Sequence, residues 1–386
     1  MSMVRFSLVI SLVGFCVGVL VACSATPVNN VELSNNNNSQ TSAPEKNSPM
    51  LFNQQLEQDL NANLLTTLQS KIDVLSIAKH LRLLYPAQFA NPLNTAKAAA
   101  DVKQQLVAGI ADISTVFSWH YMHSEVLNDN SLVAYYRIDS DSGYSYVTFW
   151  LEPDSYKIYD FHSVSFAFSA LDFVGKFNQL FINNPESQPQ LNNLVKALQV
   201  NDIEAAFTIY HNLAPTVKTN RALSDFLLRK YSQLSATEAQ AMKTIVLPIF
   251  EQAGHSSLLF EAHYIQLDNF AAAIKMVKGL PLFALQDSKM QSELAILHAY
   301  NREFEPAINY GRQAIMAEPN QHEAYFVLLQ VSFLAKDYGL SLDLMNVLVS
   351  KFDYIMGRKV ISEFEESDSF IASNEYQDWV KQRTNS

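Results

Sequence analysis

Phe270, Phe304 and Tyr338 recur at one constant interval. Three positions after each comes a small residue (Ala273, Ala307, Ser341), and then an apolar one (Ile274, Ile308, Leu342). Polar pairs precede each aromatic: Asp268-Asn269, Arg302-Glu303 and Lys336-Asp337. The chain has only 10 Gly but 24 Phe and 17 Tyr, a composition suited to aromatic-packed helices. A fixed period of about 34 residues in such a chain is the mark of a repeated helix hairpin. One hairpin cannot bury its apolar face, so the units must stack. The small residues belong where two helices cross closely, with large side chains around them.

The best unit runs from Ser288 to Gln321. Leu294, Ala295, Ala307, Ala314 and Pro319 stand at the offsets of the tetratricopeptide pattern, which the unit resembles. It departs from that pattern at Gln291, where a tryptophan is usual, and at His298 and Gly311, two aromatic positions. The unit from His322 keeps Tyr325, Leu328 and Ser341 but has Asp353 for the closing proline. The unit from Gly254 keeps Phe260, Tyr264 and Ala273. Ile203, Ala206 and Phe207 form a fainter echo, about two periods before the Phe270 set. The resemblance implies an α-solenoid over residues 186–386, closed by a cap carrying Phe370, Tyr376 and Trp379. It also implies a concave surface built from the first helix of each unit. The partner-binding positions carried over are Lys289, Ser292 and Ile296, then Glu323, Phe326, Gln330 and Phe333. Phe326 and Phe333 are seven apart on one helix face, so both would anchor a peptide. The competing expectation is that both pack inward.

The N-terminus reads as a processing segment. Arg5 precedes the apolar run FSLVISLVGFCVGVL, which is short for a membrane span with both flanks. It ends in Leu20-Val21-Ala22-Cys23, which resembles a bacterial lipobox. That resemblance implies loss of a signal peptide, residues 1–22, and lipidation of Cys23, palmitate being the expected acyl chain. Ser24, in place of the aspartate that would favour inner-membrane retention, points to an outer-membrane lipoprotein facing the periplasm. Residues 23–50 are rich in Asn, Ser and Pro and read as a disordered tether. Cys16 would leave with the signal, so the mature chain could form no internal disulfide. The formal charge is −11, and loss of Arg5 makes it more negative still. An acidic chain without a basic patch is not expected to bind nucleic acid, nor anionic lipid through its folded surface. Its membrane contact would be the lipid alone.

Residues 51–185 read as an α+β domain. Apolar residues recur at helical spacing over 51–85, and 94–113 reads as a further helix capped by Asn94 or Thr95. Four β-branched, aromatic stretches follow, over 114–127, 131–139, 144–152 and 156–166. The turn-forming residues between them predict an antiparallel meander. In the third, Tyr144, Tyr146, Thr148 and Trp150 share a face. A helix before such a meander resembles cystatin-like or NTF2-like folds. The expected class is therefore α+β, mostly α, with a four-stranded meander followed by the solenoid.

His120, His123 and His162, near Asp139, Asp141, Asp154 and Asp160, raise a second reading, a small-ligand binder or hydrolase with the strand region as a cup. Against it, His120 and His123 are three apart and should point to opposite faces of one regular strand. The aspartates fall mainly where turns are expected. There is no phosphate loop, nucleophile elbow or CxxC, and Phe326 stands where a zinc-protease helix begun at His322-Glu323 needs its second histidine. We therefore expect no enzyme, cofactor or metal, but a lipid-anchored scaffold or adaptor for a protein or peptide partner.

Overall fold

The computed structural model describes residues 48–140, 143–231, 247–248 and 258–384. The expected signal segment, Cys23 and all but the last residues of the expected tether lie outside them. The architecture is mostly helical, with one four-stranded antiparallel sheet followed by a helical C-terminal region. It forms two compact units, one within residues 9–255 and the other within 256–386. The Asn/Pro/Gln-rich break at 183–190 falls inside the first unit.

The first unit opens with helices α1 (Pro49–Asn61), α2 (Leu65–Lys71), α3 (Val74–Leu84) and α4 (Pro92–Val116). Asn63, with φ 55°, and the extended Ile72 break the run over 51–85 into three helices. Asp73 then caps α3 by accepting from the Ser76 N–H at 2.9 Å. Helix α4 starts earlier than its expected cap. Asn91 accepts from the N–H groups of Leu93 and Asn94, and Pro92 occupies the first helical position, where no N–H is needed.

Strands β1 (Ser118–Val126), β2 (Leu132–Ser140), β3 (Gly143–Leu151) and β4 (Ile158–Ser163) follow as a meander in the order 1-2-3-4. One face carries Trp119, Tyr136, Phe149 and Phe161, all buried and in mutual ring contact. The Tyr136 hydroxyl donates to Asn53 Oδ1 of α1 at 2.8 Å, which fixes that helix on this face. Helices α5 (Ala170–Asn183), α6 (Gln188–Gln199), α7 (Ile203–His211), α8 (Pro215–Lys218) and α9 (Arg221–Tyr231) follow the sheet in the chain.

The second unit contains α10 (Glu261–Gln266), α11 (Phe270–Lys278), α12 (Leu282–Leu285), α13 (Ser288–Tyr300), α14 (Phe304–Ala317), α15 (His322–Ala335) and α16 (Tyr338–Phe352). It ends in α17 (Arg358–Ile361), α18 (Ser367–Ile371) and α19 (Asn374–Thr384). The three aromatics of the repeat period are the first residues of α11, α14 and α16. The turn before each is the same object. Asp268, Arg302 and Lys336 all have positive φ, between 53° and 63°. At each turn an N–H closes back onto a carbonyl at 2.9 Å: Asn269 onto Tyr264, Glu303 onto His298, and Asp337 onto Ser332. In the first unit Asn201 repeats the geometry between α6 and α7, with the Asp202 N–H on the Ala197 carbonyl at 2.9 Å.

Ala273, Ala307 and Ser341 are all fully buried, one at each hairpin crossing. Ser341 adds a hydroxyl contact to Ser332 across its crossing at 2.8 Å. Gly311 shows how closely the next unit docks. A Cβ there would come 2.7 Å from Leu328 Cδ1 of α15. Replacing Ala307 with leucine is expected to overpack α13 against α14 and cost about 1–3 kcal/mol. Urea denaturation would read this as a lowered midpoint, and an unchanged midpoint would mean that the crossing tolerates the added volume.

Candidate functional site

Helices α13 and α15, the first of their hairpins, carry the sequence-predicted positions at spacings of three, four and seven, so that each set shares a helix face. The two sets are in register, with Lys289, Ser292 and Ile296 each one full period before Glu323, Phe326 and Gln330. On α13, Lys289, Ser292 and Ile296 are half-buried. On α15, Glu323 has a 66 % exposed side chain 3.5 Å from His322, and Phe326 is half-buried.

Gln330 and Phe333, expected on the same groove, are covered. Phe333 is fully buried, with ring centroids 5.6 Å from Phe364 and 5.0 Å from Phe370. Both ends of the Gln330 carboxamide are engaged by one residue. Its Nε2 donates to the Glu365 carbonyl and its Oε1 accepts from the Glu365 N–H, each at 3.1 Å. The Tyr300 hydroxyl of α13 donates to Glu365 Oε2 at 3.1 Å. Burial, and then the Glu365 carboxylate beside it, push the Tyr300 hydroxyl pKa up. Phe364 stacks on Phe326 at 6.2 Å, and Tyr354 meets Phe326 edge-on at 4.8 Å. The expected partner-binding positions on α15 are therefore covered by residues 354–370, apart from Glu323, and those on α13 remain half-buried.

Tyr300, Phe364 and Glu365 escaped the sequence reading. Phe364 sits in the acidic run Glu363 to Asp368, which reads as a solvated surface, while Phe370 and Tyr376 of the expected cap are buried. Glu261 was also hidden. It occupies the position held by Ala295 one period later, is buried, and leaves Oε1 without a hydrogen-bond partner among the described residues. Burial, with the Glu293 carboxylate nearby, drives its carboxyl well above the usual range.

The strand histidines do not converge. The expectation that His120 and His123 oppose each other is overturned by a β-bulge between Tyr121 and His123. With one residue extra, His120 pairs with Arg137 and His123 with Tyr135, which puts both on one face. His123 and His162 then lie in one row across the sheet, through Tyr135 and Thr148. Three strand spacings, about 14 Å, separate them. His120 Nε2 lies 3.1 Å from Asp139, and the His123 ring packs on Tyr135 at 4.8 Å. The His162 Nε2 sits 2.9 Å from the Phe166 carbonyl, and burial lowers its pKa. Tyr144, Tyr146, Thr148 and Arg137 on this face are buried, so its centre is closed. Asp160 accepts from the N–H groups of Phe161 and Leu171, anchoring the start of α5. Asp154 lies in the exposed turn before β4, and Asp141 falls outside the described residues. Among the described residues, no three His, Cys, Asp or Glu side chains are grouped to hold a metal ion.

Among the described residues, no helix is long and apolar enough to cross a membrane. The chain matches no known family, no curated protein and no solved structure.

Proposed function

We propose that this protein is a non-enzymatic, lipid-anchored adaptor of the outer membrane, held there through Cys23. Its tetratricopeptide-like hairpins take a protein or peptide partner on the inner face of α13 and α15. The observation that carries this reading is the register of that face. The positions of Lys289, Ser292 and Ile296 are matched one period later by those of Glu323, Phe326 and Gln330, with different side chains, on helices whose turns carry the same closing bond. Half-buried Ile296 and Phe326 supply apolar contact, while Lys289 and exposed Glu323 supply opposite charges for orientation. An acyl chain on Cys23 and the Asn/Ser/Pro-rich segment behind it would leave the hairpins free to reach a partner near the membrane.

A photo-cross-linker placed at Ser292 tests this in intact cells, with one at Met316 as control. Met316 is 79 % exposed on α14. The expected result is one cross-linked species from Ser292 that is absent from Met316. Equal labelling from both positions, or none from Ser292, would remove the groove from the account.

A further inference from the structure

The end of the second unit breaks a rule that α13 and α15, the inner helices of the two hairpins before it, keep. One period after α15, an inner helix would run unbroken over about 356–369. Instead α17 stops at Ile361, Glu366 takes φ 58°, and α18 starts at Ser367. The break at Ser362 to Glu366 bends onto the inner face. Its Glu365 side chain reaches Tyr300, 65 residues earlier on α13, while its backbone is held by Gln330 on α15.

Each contact is of a kind that recognises a peptide. The Gln330 carboxamide reads main chain, accepting one N–H and donating to one C=O of the same residue. The Tyr300 hydroxyl takes a carboxylate in a charge-assisted bond. Phe326 and Phe333 form an aromatic slot that Phe364 fills. The segment is anchored at its ends by buried Ile361 and Ser367 and in its middle by Phe364, but the residues between these points are exposed. Ser362, Glu363, Glu365 and Glu366 are exposed, and four carboxylates crowd into Glu363 to Asp368. Exposed segments with crowded like charges open more readily than buried helices.

We infer that residues 362–366 are a built-in occupant of the partner groove, and that the partner enters as an extended peptide carrying the same aromatic–acidic pair, displacing Phe364 and Glu365. This names the partner's chemistry for the adaptor reading above and rests on it. A tethered occupant competes at a high effective concentration, so the groove stays shut to weak ligands and opens to a matched one.

The test uses the full chain and a fluorescent synthetic peptide, VISEFEESD, the protein's own residues 360–368. The Phe364→Ala/Glu365→Ala chain should bind it about tenfold or more tighter than the parent, because the internal competitor is weakened. Adding Gln330→Ala should remove the gain, and so should alanine for the peptide's phenylalanine. Equal affinity for parent and variant, or a gain that survives Gln330→Ala, overturns the inference. Hydrogen exchange on the unmodified chain decides the matter if the variants fail to fold. The amides of residues 362–366 should exchange about tenfold or more faster than the interior of α15. Exchange in step with α15 would make the segment an integral cap and overturn the inference. The two readings also fail separately. A Ser292 cross-link that the Phe364 and Glu365 substitutions leave unchanged overturns the built-in occupant while the adaptor stands.

Discussion

Replacing Phe333 with alanine is expected to cost about 3–5 kcal/mol of the second unit's stability. The ring has no exposed surface and sits in the core cluster that joins α15 and α16 to the C-terminal segment, against Phe364 and Phe370. Truncation leaves a cavity that Phe364 can only partly refill, because its ring is also stacked on Phe326. The same change at half-buried Phe326 removes less contact and should cost about 1–2 kcal/mol. Urea denaturation of the two single variants separates them. Equal losses would contradict the different burial of two rings that sequence spacing alone treats as equivalent. Phe326→Ala is then the variant that probes binding, and Phe333→Ala the one that probes the fold.

The second large effect is on pH. Asp160 is buried, and burial pushes its carboxyl up to about 7, with only partial relief from the Ser169 hydroxyl and the N–H groups of Leu171 and Phe161. The folded chain therefore holds this proton at pH values where the unfolded chain, with an ordinary carboxylate near 3.8, has released it. The contribution to stability is complete below about pH 4 and is lost as pH rises through 7. A shift of this size corresponds to about 4 kcal/mol between the two limits. Asp160→Asn keeps an acceptor for the two N–H groups without the titration. It should melt higher than the parent at pH 8, and the gap should close toward pH 4. A gap that is flat or widens on acidification would mean that Asp160 folds as a carboxylate. Because Glu261 is also pushed upward by burial, the difference between parent and variant is the quantity to follow, not the parent curve alone.

The hairpins were legible in the sequence because a crossing admits only small residues and an aromatic fits at the start of each second helix. Both constraints leave letters at fixed spacing. The turns left none. Asp268, Arg302 and Lys336 adopt left-handed backbone without a single glycine, stabilised by a bond between main-chain groups that nearly every residue type possesses. The four strands were visible because β-branched and aromatic runs alternate with turn residues. The bulge at Met122 was not, and one extra residue reversed the predicted relation of His120 and His123. Of the candidate site, the common helix face of Lys289, Ser292 and Ile296 was readable from their spacing. The closing of Gln330 and Phe333 was not, because Ser362 to Asp368 has the composition of solvated chain and its position depends on contacts 35 and 65 residues away.

Hydrogen exchange of the whole chain, with and without the species captured through Ser292, asks most directly whether the inner face holds the partner. The account predicts slowed exchange in α13 and α15 together with faster exchange at 362–366. Slowing confined to α14, α16 or the sheet, with α13 and α15 unchanged, would contradict it.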